Sequence, residues 1–327
     1  MNRVFPYVSA ATLALLAAYS AFRAYPYGVQ YHGLFYAWIT YEHGLVKRGL
    51  VGTAMSLFCG TARQSCAFDW HIGGLGIVSL LVGLISWLLA RRTSAASTAF
   101  LFAVTAVFCS SQFMPNLAIT AGYLDVYVAA VLLAAVLAII ARFYKLAYLL
   151  AIIGPLVHEQ FVFVWLGIAL VLCYLASFRG GDRRKLLVVS LLPFISALAL
   201  VLLHSQEAIQ HLLASAPLDE DQKQGVLSVT FGQTISSAIY EMQKVFSSSS
   251  DRLWAPVLFF LTPSIAIVIG AYFRMRSGTE VVLLALAALL PLCIFFIAWD
   301  LSRFLATSTV SIYSAFAILY GATVSES

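Results

Sequence analysis

The chain has 327 residues, 62% hydrophobic and 10% charged, with a mean hydropathy of +0.93. Soluble domains are about 25% charged, so this composition excludes a soluble globular protein and predicts an all-α, polytopic membrane protein, one transmembrane domain over 1–327. The formal net charge of +5 sits in short basic clusters between apolar runs, the pattern of membrane topology and not of a nucleic-acid surface.

The first run, Met1 to Phe22, begins basic like a signal peptide. It ends in Ala21-Phe22-Arg23-Ala24-Tyr25, a poor match to a small-residue cleavage site, and is taken as an uncleaved first helix. Ten runs are long enough, or nearly so, to cross: about 5–22, 72–90, 95–112, 126–141, 146–158, 160–177, 186–203, 253–273, 279–298 and 303–321. The fifth is short and contains Pro155, so it reads as a half-helix or a kinked one.

Two long loops separate these spans, 23–71 and 204–252. In the first, Tyr25, Tyr27, Tyr31, Phe35, Tyr36, Trp38 and Tyr41 have amphipathic rings suited to the headgroup region. One or two short interfacial helices are expected there, the second starting near Arg48. Cys59 and Cys66 either pair, if this loop faces an oxidising compartment, or remain two thiols. In the second loop, Asp219-Glu220-Asp221 reads as a solvated turn. Phe231, Ile235, Ile239, Met242 and Phe246 then recur at helical spacing, predicting an amphipathic helix that caps an outer cavity or packs on its neighbours.

The positive-inside rule puts the N-terminus in the cytoplasm. The cytoplasmic side then holds Arg3, Arg91, Arg92, Arg142, Lys145, Arg179, Arg183, Arg184, Lys185, Arg274 and Arg276, against Asp182, Glu280 and Glu326. All six histidines, His32, His43, His71, His158, His204 and His211, fall on the outer side. So do the isolated ionisable residues near helix ends.

Four outer clusters can carry chemistry. The first is the glycine-punctuated run Tyr41 to Thr53, with Glu42, His43, Lys47 and Arg48. Glu42 suits a general base, and Lys47 and Arg48 suit a phosphate, the arginine through paired donors. The plainer alternative is an interfacial anchor whose cations reach lipid headgroups. The second is Gly122-Tyr123-Leu124-Asp125, where Asp125 is either a functional acid or a helix N-terminal cap. In the third, His158-Glu159-Gln160, two apolar runs meet, and ionisable groups at membrane depth usually face a cavity. Asp300 and Arg303 in the fourth are three apart; they pair on one helical face or leave Arg303 for a phosphate.

Absent motifs narrow the class. No glycine-rich phosphate loop ends in Lys-Ser/Thr, and no serine stands in a Gly-x-Ser-x-Gly setting. A proton-coupled transporter usually places its charges near the midplane, whereas here they gather at one face.

The many spans, the long first outer loop with an acid and the outer Arg/Lys near acids resemble the GT-C class of membrane glycosyltransferases. The run Val46 to Gly52, Gly-Tyr-Leu-Asp at 122–125 and His158-Glu159 also resemble a group of bacterial membrane proteins associated with envelope polysaccharides. The chain departs from GT-C habit in the late position of Glu42 and in lacking a large soluble C-terminal domain. The resemblance implies transfer from a polyprenyl-phosphate-linked sugar to a glycan or lipid acceptor at the outer face of the bacterial cytoplasmic membrane, with both termini cytoplasmic. The expected catalytic set is Glu42, Asp125, Glu159 and His158, with Lys47, Arg48 and Arg303 on the phosphate and His43 and Asp300 nearby. Glu42 activates the acceptor hydroxyl, with Asp125 and Glu159 as rivals. No cofactor is called for, and a divalent metal stays open because His43, His158 and two acids can approach one another. The expected partners are membrane lipid, the lipid-linked sugar and its acceptor, with no nucleic acid. The alternatives are a polysaccharide polymerase or lipid-linked glycan transporter, and a non-catalytic membrane subunit.

Overall fold

The computed structural model describes residues 5–23, 36–119, 124–178, 181–216, 220–226, 240, 261–274, 277–296 and 301–324. All regular secondary structure among these residues is helical, without a strand. In chain order the helices are α1 (Phe5–Phe22), α2 (Gly49–Cys59), α3 (Arg63–Ala90), α4 (Ala95–Ser110), α5 (Phe113–Ile119), α6 (Asp125–Ile140) and α7 (Tyr144–Val157). They continue as α8 (Gln160–Phe178), α9 (Arg183–Leu203), α10 (Gln206–Ser215), α11 (Glu220–Val226), α12 (Leu261–Tyr272), α13 (Gly278–Leu289) and α14 (Leu301–Val324).

Five stretches are long and apolar enough to cross a membrane: Cys66–Ala90, Ser97–Ile119, Gln160–Phe178, Arg183–Leu203 and Leu305–Thr323. Their burial runs opposite to a water-soluble fold. The Arg183–Leu203 stretch is the most apolar and only 28% buried, while Leu305–Thr323 is the least apolar and 94% buried. Lipid is as apolar as leucine, so leucine-rich faces gain little by turning inward, and small polar residues collect where helices meet. In α14 these residues tie the bundle together. Ser308 Oγ donates to the Ala288 carbonyl, Ser311 Oγ to that of Val164 at 2.9 Å, and Tyr320 Oη to that of Ser97 at 2.7 Å.

Three expected boundaries need correction. The first outer loop does not reach residue 71, because α3 begins at Arg63. Gly60, at φ 53°, turns the chain, and the Cys59–Cys66 disulfide ties the end of α2 to the start of α3. His71 is therefore a fully buried helix residue and not a loop residue. The expected span 279–298 is not one α-helix: α13 stops at Leu289 and a 3-10 turn follows over Leu290–Phe296. Pro291 lacks the N–H that would continue the α ladder. The acidic stretch in the second loop is the first turn of α11, with Glu220 and Asp221 exposed, and not a plain turn. Asp219 and the amphipathic set Phe231 to Phe246 lie outside the described residues.

The short fifth run is borne out. α7 has 14 residues and contains Pro155, which at 1.5 Å per residue gives about 21 Å against a hydrocarbon core of about 30 Å. The helix near Arg48 is borne out as well, since α2 starts at Gly49.

Contacts sort the connections into two ends of the bundle. At one end the 36–48 loop meets the α7–α8 connection and the start of α10. At the other, Arg92 Nη1 donates to the Ile140 carbonyl at 3.1 Å, and Tyr144 Oη to Asp182 at 3.0 Å. Mass spectrometry of the denatured protein treated with maleimide should show three labelled cysteines (Cys109, Cys173, Cys293) before reduction and all five after. Five labels without reductant would refute the Cys59–Cys66 bond.

Candidate functional site

The site is built on Arg48. Its backbone stands at φ 62°, in the left-handed region, at the N-terminal boundary of α2. A non-glycine residue there stores strain and persists only where its surroundings demand it. The demand comes from the side chain. Arg48 Nε lies 3.1 Å from both Glu159 oxygens, Nη2 also donates to Glu159, and Nη1 donates to Tyr36 Oη at 2.9 Å. The guanidinium sits 5.6 Å from the centre of the Tyr36 ring. The first and third predicted clusters therefore meet, across 111 residues of sequence.

Neighbouring residues hold the loop in register. Tyr41 N–H donates to Thr53 Oγ1 at 2.8 Å, and Thr53 Oγ1 donates to the Gly49 carbonyl at 2.7 Å. Tyr41 Oη donates to the Leu156 carbonyl at 3.2 Å, one of the last-turn acceptors that α7 cannot satisfy itself. Burial pushes the Tyr41 phenol up to about 12, so it remains a donor at working pH. Gly52 is required by close approach: a Cβ there would lie 2.1 Å from the Ile39 carbonyl oxygen. Beyond the loop, Ser205 N–H donates to the Leu45 carbonyl at 3.0 Å, and the His43 ring lies 5.6 Å from that of His211 on α10.

His158 breaks the chain between α7 and α8 in extended conformation, φ −163° and ψ 135°. Its Nδ1 accepts the Gln160 N–H at 3.0 Å. That nitrogen therefore carries no proton, and its 3.5 Å approach to Glu159 is not a hydrogen bond. Burial pushes the Glu159 carboxyl up, but Arg48, by charge and by hydrogen bonds, outweighs it and holds the group well below the usual carboxylate range.

A second polar feature adjoins the bridge. Asn116, Asp125, Gln160 and Thr307 line a hollow with room for about one water molecule. Gln160 is 1% exposed, and neither atom of its amide finds a partner among the described residues. Nearby lies His71, buried in α3, whose ring has the Leu117 backbone and the Asp125 charge as neighbours.

The remaining predicted residues divide. Glu42 is exposed and Lys47 half-exposed, and neither side chain bonds to a described residue. Asp125 opens α6, buried at 6%, facing the hollow and not the bridge. Asp300 and the side chain of Arg303 lie outside the described residues. No group of three or more His, Cys, Asp or Glu among the described residues is placed to hold a metal. Tyr36 and Tyr41 correct the headgroup expectation: Tyr36 is buried, Tyr41 partly so, and both bond to protein. Gln160 closed the third cluster in the sequence reading without a role of its own, and Asn116 and Thr307 were given none.

Searches against protein-family models, curated proteins and solved structures find no match to this chain. Its functional reading therefore rests on its own residues.

Glu159→Gln is expected to destabilise the detergent-solubilised protein by about 2 kcal/mol, between the values for exposed and buried pairs. The folded-state value of this carboxyl lies below the unfolded value near 4.3 (about). Its contribution is thus fully present above that value and lost only as pH falls through the depressed one. Thermal melts at about pH 5.5 and pH 8 should show the same gap between wild type and variant; a gap that opens only toward pH 8 would mean that burial outweighs Arg48 and raises the Glu159 carboxyl instead of lowering it.

Proposed function

We propose that this protein is a membrane glycosyltransferase, moving a sugar from a polyprenyl-phosphate donor to an envelope glycan or lipid acceptor at the outer face of the bacterial cytoplasmic membrane. The observation that carries the reading is the meeting of the first and third clusters at one end of the bundle. There the Arg48–Glu159 bridge fixes a loop that presents Lys47 and Glu42, neither engaged by a described residue. The disulfide beside this end supports an outer, oxidising location. Ten crossings with both termini cytoplasmic fit the sorting of connections into two ends.

The geometry distributes the roles. Lys47 meets the donor phosphate as a point charge, and Arg48 adds positive potential while anchoring the loop. A carboxylate held as acidic as Glu159 is a weak base, so it positions Arg48 and takes no proton. Asp125 is enclosed in its hollow, which leaves Glu42 as the base for the acceptor hydroxyl. Of the His158 ring, Nε2 is the nitrogen left for the reaction, because Nδ1 accepts the Gln160 N–H.

A second reading, a lipid-linked glycan transporter, is favoured by the Asp125 hollow, since ionisable groups inside a bundle commonly mark ion pathways. The two separate in proteoliposomes supplied with labelled polyprenyl-phosphate sugars and acceptor glycan. On the transferase reading, Glu42→Gln lowers kcat by about 100-fold or more with an unchanged melting curve. Lys47→Ala raises the donor KM, and Asp125→Asn spares transfer. Movement of intact lipid-linked glycan without transfer, abolished by Asp125→Asn, would establish the second reading instead.

A further inference from the structure

At the opposite end of the bundle a cavity opens among α6, α7, α8, α9, α14 and the α3–α4 turn. It has room for only one or two water molecules: the exposed guanidiniums of Arg92 and Arg142 stand at its mouth beside Tyr144, and Ile139, Leu175 and Ile318 line its buried interior. Arg142 occupies an unusual place. α6 closes in a paired C-terminal cap: Phe143 N–H donates to the Ala138 carbonyl at 2.8 Å, and Arg142 N–H to that of Ile139 at 3.0 Å. The residue that donates the second of these bonds must be left-handed, a position that glycine fills most easily, and here it is Arg142, at φ 64°. The chain thus accepts backbone strain to put a guanidinium at the cavity. That guanidinium donates no hydrogen bond to a described residue.

Arg92 gives Nη1 to the Ile140 carbonyl at 3.1 Å. Burial, then the like charges of Arg142 and Arg91, push its guanidinium below the ordinary value. Asp182 supplies a counter-charge felt by Arg142, but its oxygens are bonded at 3.0 Å by Lys185 and by Tyr144 Oη. The mouth of the cavity therefore carries exposed positive charge in excess of its counter-charge, at a turn between apolar helices, which suits the anionic headgroup of a lipid.

We propose that the two exposed guanidiniums at the mouth of this cavity, Arg92 and Arg142, bind the phosphate head of an anionic phospholipid. The site is separate from the Arg48 end, and the proposal does not depend on the transferase reading.

The test uses the full chain in a neutral detergent with phosphatidylglycerol, phosphatidylcholine or inorganic phosphate. Phosphatidylglycerol at about tenfold above Kd should raise the wild-type melting temperature by roughly 2–5 °C, and phosphatidylcholine should not. Arg142→Gly is the informative variant: glycine relieves the left-handed backbone, so the unliganded protein should melt at or above wild type while the lipid shift falls to less than half. Arg92→Gln should reduce the shift likewise. A full shift retained in both variants, or an equal shift with phosphatidylcholine, overturns the proposal. A full shift from inorganic phosphate alone marks a soluble-anion site and overturns the lipid assignment. Native mass spectrometry of the wild type adds a readout free of any variant: one phosphatidylglycerol retained per chain supports the proposal, and equal retention of both lipids refutes it.

Discussion

One ion pair organises the end of the bundle where the polar residues gather. Arg48 reaches from a loop with little regular structure to the turn between two apolar helices and takes hold of Glu159. An arginine fork is suited to this because it bonds a carboxylate at two points and fixes direction as well as distance. The left-handed backbone at Arg48, the close pass of Gly52 under Ile39 and the capping of α7 by Tyr41 are parts of the same arrangement. Each is unfavourable or of little use alone, and together they hold Lys47 and Glu42 on a defined platform. A mobile loop would present the same charges without a fixed geometry, and acid–base chemistry depends on geometry before it depends on pKa.

The two ends of the bundle use charge differently. At the Arg48 end, opposite charges are paired and the surrounding acids and imidazoles stand at helix starts and breaks. At the Arg142 end, cations accumulate beyond the carboxylate available to them, and α6 spends backbone strain on one of them. A basic end is what topology alone would produce, but topology does not require an arginine in a position built for glycine. The same structural device, a left-handed arginine, thus recurs at both ends, buttressed by an acid at one and facing a cavity at the other.

The fold class was legible because apolar runs separated by charged turns leave few alternatives for a chain in lipid. The break at His158-Glu159 was legible too, from Pro155 and two ionisable residues between apolar runs. The start of α3 was not: Phe68, Asp69 and Trp70 lack the continuous apolar character that marks a span, and the helix there is set by the disulfide and its turn. The 3-10 ending of α13 hinged on one proline inside an otherwise uniform apolar run. Within the site, the residue types of the bridge stood out in sequence, but their pairing did not, because nothing local links positions 48 and 159. Tyr36 and Tyr41 were misread for a related reason: an amphipathic ring satisfies a headgroup or a buried partner equally well, and only tertiary structure decides. Gln160 stood in the third cluster, but its role was not legible, because an amide at the start of a helix carries no signal until its burial is known.

The enclosure of α14 bears on how the protein is made. This helix is wrapped by its neighbours along almost its whole length, yet of the described helices it is the last to leave the ribosome. The helices that surround it must enter the bilayer first, around a centre that is still missing. Until α14 arrives, the Val164 and Ala288 carbonyls lack their serine donors and the inner faces of α8 and α13 lack their common partner. Among the described helices, the contacts that α14 makes with α8 and α13 are therefore the last that synthesis allows to form.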